Sequence, residues 1–321
     1  MQSLIGRPQS ARNSCRRRGY RVGFVSSIGN AYIYPLNDPR AGVIRPFAEG
    51  LRELGYVDGQ NLVLLRRSAE GIVGRGADIA SVLIREGVDV IVVTTVVLAK
   101  EMMGATTAVP IVMAAGGDPI GVGVVASLAR PGGNVTGFTI VPGPEFHAKR
   151  LQYLKDAIPN LSRVAYLATR GEWESTAGNA IRAAAMALGL TLLHAEHTLT
   201  NYTDAFTLIA KERPDALLVS ANPAANPKAI LDFALEHRMP AIYPWRQYVL
   251  DGGLMSYGID LQDQYRRAAG YVDRILKGES PAELPIQQPS KFELVINLKT
   301  AKIIGLEVPV AVLSQAAEVI E

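Results

Sequence analysis

From Arg21 onward, short apolar runs alternate with stretches whose apolar residues recur every three or four positions. Residues 21–27, 62–66, 88–95, 110–115 and 135–141 read as strands, being runs of Val, Ile and Phe closed off by turn-forming residues. Between the first two, residues 39–56 place Ile44, Phe47, Leu51 and Leu54 along one helical face, and 79–85 predict a further helix. The pattern then restarts. A helix is predicted over 145–158, ending at Pro159, followed by a strand at 163–168, an alanine-rich helix at 177–188 and a strand at 191–197. Helix 202–212, strand 216–220, helix 227–237 and strand 241–243 continue the alternation. Strand then helix, with short connections, predicts βαβ units and parallel sheets in two successive blocks of similar size, without a close sequence repeat between them.

The last sixty residues break this simple order. Residues 260–277 form another amphipathic helix, with Tyr265, Ala268, Tyr271, Val272 and Ile275 at helical spacing. A proline-rich connection over 281–289 leads to the strand Phe292-Glu-Leu-Val-Ile. A helix that returns to the first block, and a strand that goes back to the second, make three crossovers. The expected fold is therefore α/β, two Rossmann-like lobes with parallel sheets joined by a three-segment hinge. The expected division is an irregular segment at 1–20, a first lobe of 21–141 plus 259–285, and a second of 142–258 plus 286–321.

Composition narrows the function classes. The chain has 321 residues, 48% hydrophobic and 20% charged, which excludes a disordered chain. A net charge of +3 is too small an excess to signal a nucleic-acid partner. The single cysteine, Cys15, allows neither an internal disulfide nor a cysteine-based zinc site. No segment reaches the roughly 18 apolar residues of a membrane span; the longest, 88–99, contains Asp89 and two threonines. The head of the chain carries Arg12, Arg16, Arg17 and Arg18 with no apolar run after them, so it reads as a solvated tail and not as an intact signal peptide.

In parallel α/β sheets ligands bind beyond the carboxyl ends of the strands, where helix N-termini present unbonded N–H groups. In the first block this rule selects Ser26, Ser27, Thr94, Thr95, Ala115, Gly116 and Asp118; in the second, Thr169, Arg170, Trp173, Asn222, Tyr243, Trp245 and Tyr257. Hydroxyls and amides suit a carboxylate, Asp118 suits an ammonium, and Trp173, Tyr243 and Trp245 suit a flat ring. The competing reading is that Ser and Thr at strand ends simply cap the following helices. Motifs for chemistry fail. Gly121-Val-Gly-Val-Val-Ala126 is separated from its strand by Asp118-Pro119, and no acidic residue closes the next strand, so a dinucleotide site is not expected. His194-Ala-Glu-His197 lies in a predicted strand, where residues three apart face opposite sides and cannot chelate one metal. No nucleophile elbow, phosphate loop or His-Glu-x-x-His occurs. No catalytic residue, metal or cofactor is expected.

Longer strings carry a resemblance. Residues 47–61 read Phe-Ala-Glu-Gly-Leu-Arg-Glu-Leu-Gly-Tyr-Val-Asp-Gly-Gln-Asn, followed by Gly117-Asp-Pro-Ile-Gly-Val-Gly and Ser127-Leu-Ala-Arg-Pro-Gly-Gly-Asn-Val-Thr-Gly137. Then come Pro240-Ala-Ile-Tyr-Pro-Trp, Gly252-Gly-Leu-Met-Ser-Tyr-Gly258 and Pro289-Ser-Lys-Phe-Glu-Leu-Val-Ile-Asn-Leu-Lys-Thr-Ala301. Over residues 21–321 the chain resembles the substrate-binding proteins of ABC importers of the tryptophan/tyrosine type. The resemblance implies a type I periplasmic-binding-protein fold with a ligand in the cleft between two closing lobes. It also implies a monomer, a membrane permease with its ATPase as partner, and a periplasmic location, although the family's leader is not found in this sequence. The chain departs from the family at Ala168-Thr-Arg-Gly-Glu-Trp173, in the loop 27–39 with Tyr32 and Tyr34, and at Asn222-Pro223. Ligand identity is therefore not carried over. An aromatic amino acid or related carboxylate is expected, with Asp118, Arg170 and Arg246 available to match charge. The rival readings are a receptor for a signalling system, an enzyme on the same scaffold, and a repressor's sensor domain, which would need a helix-turn-helix that the first twenty residues are too few to form.

Overall fold

A computed structural model describes residues 19–27, 35–36, 42–141, 143–198, 201–220 and 227–321. The expectations placed on Asn222, Pro223, Tyr32, Tyr34, Cys15 and the arginines of the head lie outside the described residues. By its contacts the chain divides into Met1–Thr139 with Gln262–Gln287, and Ile140–Leu261 with Gln288–Glu321, so it passes from one unit to the other three times.

The first unit is built on β1 (Tyr20–Ser26), β2 (Leu62–Ser68), β3 (Val90–Val93), β4 (Ile111–Gly116) and β5 (Val135–Thr139). They pair in the order β2-β1-β3-β4-β5, every pair parallel. Strands β3, β4 and β5 are buried along their whole length, and in β3 and β4 this is why the sequence shows unbroken apolar runs and not alternation. Helices α1 (Ile44–Glu53), α2 (Arg75–Arg85) and α3 (Val96–Met103) connect the strands. Phe47 of α1 is fully buried with its ring 5.3 Å from that of Phe24, a burial worth about 2–3 kcal/mol for such a side chain. At Gly137 the backbone is left-handed, with φ +125°, and a Cβ there would lie 2.1 Å from the Met113 carbonyl oxygen. Only glycine lets β5 run this close to β4, beside the irregular register between Met113 and Gly116.

The second unit begins with α4 (Pro144–Ala157) and continues through β6 (Arg163–Ala168), α5 (Arg170–Glu174), α6 (Thr176–Ala187), β7 (Thr191–Glu196), α7 (Thr203–Glu212), β8 (Ala216–Val219), α8 (Pro227–Glu236), β9 (Ala241–Tyr243), α9 (Arg246–Leu250) and β10 (Met255–Ile259). After α10 (Leu261–Leu276) the chain adds β11 (Phe292–Asn297), α11 (Leu298–Ile304), α12 (Val310–Leu313) and β12 (Glu318–Ile320). The sheet runs β12-β11-β10-β9-β8-β6-β7. Counting from β6, its first five strands repeat the second-first-third-fourth-fifth order of the first unit. The two α/β units, each with a sheet dominated by parallel pairs, bear out the expected fold class.

One pair departs from the parallel majority. The second sheet is not purely parallel, because β11 runs antiparallel to β10, with Ile259 opposite Phe292 and Met255 opposite Ile296. The chain leaves this sheet at the carboxyl end of β10 and re-enters beside that same end, so the returning strand must run backwards. In the first unit, residues 262–287 supply α10 and a segment laid along β5. There the Gln287 N–H donates to the Gly137 carbonyl, and the Thr136 hydroxyl donates to the Leu284 carbonyl at 2.6 Å. Gln264 of α10, 2% exposed, donates to the Ala114 carbonyl in the same unit.

Candidate functional site

In each sheet the strand order reverses beside its first strand, and the carboxyl ends flanking that reversal are the places a doubly wound fold offers to a ligand. In the first unit the reversal lies between β1 and β3. The Ser27 N–H donates to Thr94 Oγ1 at 3.0 Å, and the two hydroxyls lie 3.4 Å apart. Thr95 is the N-cap of α3, accepting from the Leu98 N–H at 3.3 Å, and the other first-turn amides have no acceptor within the helix. Ser26 instead turns its hydroxyl to the Arg67 carbonyl. At the end of β4, Ala115 and Gly116 are buried, and the Gly117 carbonyl accepts from the Thr139 hydroxyl at 2.6 Å. Asp118, exposed, accepts the N–H groups of Ile120 (3.1 Å) and Gly121 (2.9 Å) on one carboxylate oxygen. That is the side-chain bonding that starts an Asx turn, and it commits part of the charge expected for an ammonium.

In the second unit the reversal lies between β6 and β8. Thr169 caps α5 by accepting from the Glu172 N–H at 3.3 Å, and Ser220, 2% exposed, follows β8. Arg170 is turned outward, with Nε and Nη2 on the two carboxylate oxygens of Glu196 at 3.1 and 3.0 Å.

The aromatic residues differ in their surroundings. Trp173 has the His194 ring stacked on it at 4.4 Å and 7°, and the Arg182 guanidinium 4.6 Å from its centroid. A ligand ring at this indole would have to compete with both groups. Tyr243 is a core residue, 1% exposed and stacked on Tyr248 at 4.9 Å; burial pushes its phenol pKa up. Tyr257 is half-buried among Phe146, Tyr153 and Phe292, at 5.5, 5.1 and 5.7 Å. Trp245, half-buried at the N-cap of α9, packs against the core and has no aromatic ring paired with it among the described residues.

Beneath this rim lies a group of polar residues that the sequence reading missed. Arg150 of α4 is 1% exposed; its Nη2 donates to the carbonyls of Val219 (2.7 Å) and Ile242 (3.2 Å), at the carboxyl ends of β8 and β9. Its Nε has no hydrogen-bond partner, and burial pulls the guanidinium down to about 10. One turn earlier His147, 7% exposed, has an unpartnered Nδ1; burial first and the Arg150 charge second pull it down to about 4. Tyr166 of β6, fully buried, donates its hydroxyl to Glu172 Oε1 at 3.1 Å. One signal for Arg150 was present, since it stands among Phe146, Leu154 and Ala157 on the apolar stripe of its helix, where a cation is out of place.

Comparison with known proteins adds independent information. The family model described as ABC transporter substrate binding protein matches residues 37–320. A tyrosine-binding protein of Clostridioides difficile is 25% identical over 280 residues, covering 81% of this chain and 76% of the relative. Among solved structures, an ABC domain in complex with L-Trp from Streptococcus pneumonia is 26% identical, with a TM-score of 0.78 over 94% of this chain and all of that one. A ligand-free, open substrate-binding protein with adhesive properties from Clostridium difficile reaches a TM-score of 0.75 at 21% identity, over 94% of this chain and 99% of that one.

Proposed function

The chain belongs to the family of ABC transporter substrate-binding proteins, and on that premise we propose that it is the receptor of an importer for an aromatic amino acid or a related carboxylate. Proteins of this family bind solutes, are not a family of enzymes, and work outside the cytoplasm with the other components of an ABC transporter. Among the described residues no helix is long and apolar enough to cross a membrane. The proposal places the protein in the periplasm as a monomer, with a permease and its ATPase as partners and no nucleic acid.

The observation that carries the ligand class is that relatives at a quarter identity over most of the chain include one named for tyrosine and one solved with L-Trp. The geometry supports it with the right chemistry on each unit. The Ser27–Thr94 hydroxyl pair and the α3 amides suit a carboxylate, and Trp245 suits an aromatic ring. No charged partner is needed for the carboxylate if hydroxyls and amides surround it.

The test is a thermal-shift and calorimetric screen of amino acids, aromatic acids, sugars and nucleosides. A ligand specific to the folded state must raise Tm. Aromatic L-amino acids are expected to bind one to one and to be recovered unchanged. Binding confined to sugars or nucleosides, or turnover of any bound compound, would overturn the reading.

A further inference from the structure

We propose that α10 carries a second binding site, for a phosphate monoester borne on an apolar body. A groove of about 400 Å³ lies on this helix, within the size range of small-molecule sites, and every residue that lines it belongs to the first unit. None of the residues at the strand reversal, Ser27, Thr94 and Thr95, takes part in it. Its centre is Gly270. Arg266 and Arg267 stand four and three residues before this glycine and Arg274 four after it, so all three share its helical face and approach it from both ends. Glycine is the poorest helix former after proline, yet this one sits within a helix of 16 residues, and a Cβ added to it would meet nothing within 4 Å. Packing does not require it. What the missing side chain provides is a gap in the helix surface, ringed by guanidinium groups.

The walls are held from both sides. Gly50 brings α1 so close that a Cβ there would lie 2.6 Å from the Arg266 carbonyl oxygen, and Glu53 and the exposed Leu54 continue that wall. Opposite, the Phe138 and Tyr271 rings meet at 4.9 Å, with the Arg267 guanidinium 5.1 Å from the first centroid and that of Arg274 5.9 Å from the second. Gln287, whose N–H is tied to the Gly137 carbonyl, accepts from Arg267 Nη2. The cations have partners already: Arg266 pairs with Glu53 and Arg274 with Glu279, each through Nε and Nη2, and Asp263 stands 3.9 Å from Arg267. The first two pairs are solvent-exposed, a kind that adds little net stability, and they leave the Nη1 amino groups of Arg266 and Arg274 for a further acceptor. Along the lining itself three guanidiniums face one carboxylate, Glu53, an excess of two positive charges. A phosphate monoester brings about two negative charges and three acceptor oxygens, matching that excess, where a carboxylate matches half of it. Arg266 and Arg274 are separated by about 12 Å along the helix axis, more than a bare phosphate ion fills. An organic body is needed to occupy the gap over Gly270 and lie against Leu54.

The experiment titrates phenyl phosphate, inorganic phosphate and benzoate by calorimetry into the full chain, Gly270→Leu and Arg274→Gln. Leucine is the better helix former and has open space to enter, so Gly270→Leu fills the gap without altering charge. Arg274→Gln removes one cation from an exposed pair and serves if the leucine variant does not fold. Phenyl phosphate is expected to bind the parent more tightly than either control and each variant about tenfold to a hundredfold more weakly. The Tm response to aromatic L-amino acids is expected to be the same in all three chains. Flotation with phosphatidylcholine vesicles, with and without phosphatidic acid, distinguishes the source of the ester: acid-dependent retention that both variants lose assigns a lipid headgroup, and phenyl phosphate binding without retention assigns a soluble ester. No binding of phenyl phosphate, equal affinity for inorganic phosphate or benzoate, or undiminished affinity in the variants would overturn the proposal. Failure of aromatic amino acids to bind the parent would overturn the proposed function and leave this site standing.

Discussion

Protonation of His147 is predicted to destabilise the second unit. Its imidazole is held down to about 4 from an ordinary 6.5, because burial and the neighbouring Arg150 both oppose a second positive charge. The unfolded chain therefore binds a proton on this residue at a higher pH than the folded chain does. Stability from His147 is complete above about pH 6.5 and is lost as the pH falls toward about 4, below which both states are protonated and the loss levels off. Integrated over that window the loss is about 3 kcal/mol, of which about 2 kcal/mol is gone by pH 5. With the residue only 7% exposed, solvent screening removes little of this. The assay is urea unfolding followed by intrinsic fluorescence, since both tryptophans of the chain, Trp173 and Trp245, lie in the second unit. Between neutral pH and about pH 5, His147→Gln is expected to lose about 2 kcal/mol less than the parent, whatever its stability at neutral pH. Burial and the charge of Asp260 raise the Glu293 carboxyl, which favours the fold as the pH falls; this opposing contribution cancels in the comparison. Parallel pH dependence in parent and variant would refute the placement of an uncharged, buried imidazole beside Arg150.

Gly137→Ala is expected to destabilise the first unit by about 2 kcal/mol or more in chemical unfolding, because both the left-handed backbone and the Met113 carbonyl oppose a Cβ; an unchanged midpoint would show that β4 and β5 are not packed as described. Trp245→Ala is expected to weaken an aromatic ligand by about 1–3 kcal/mol in calorimetry, and an unchanged Kd would remove this ring from the site. Thr94→Val leaves the Ser27 N–H without its acceptor and should cost about 1–2 kcal/mol, read as a lower Tm of the ligand-free protein together with weaker ligand binding; wild-type values for both would deny the hydroxyl pair any role.

The sequence revealed those elements whose physics is local. Val90–Val93 and Ile111–Gly116 are continuous because both sheet faces are covered, and α10 shows its buried face in Tyr265, Ala268 and Tyr271. Strand β10 was not legible, because Ser256 and Gly258 interrupt its apolar run. The short helices α5 and α9 are five residues each, too brief for a period to show. At the rim, residue type indicated chemistry but not availability. The neighbours of Trp173 are Arg182 on the next helix and His194 on the strand after it, and that Tyr243 is core depends on which face of β9 meets Tyr248. At Asp118 the turn itself is legible, since Asp-Pro-x-Gly is a turn signal. The antiparallel return of β11 had no signature, because it follows from where the chain re-enters the sheet and not from which residues it carries.

The division of the first unit between Met1–Thr139 and Gln262–Gln287 has a consequence for biosynthesis. When the ribosome has finished residue 139, that unit still lacks the helix that donates to the Ala114 carbonyl and the segment that lines the edge of β5. Both arrive only after the whole of Ile140–Leu261 has been translated. The nascent first half must therefore emerge with apolar surface bare and an unpaired strand edge, a state that invites aggregation and chaperone capture. Strand β11 joins the second unit only after that delayed piece has emerged, so the two units are completed in close succession.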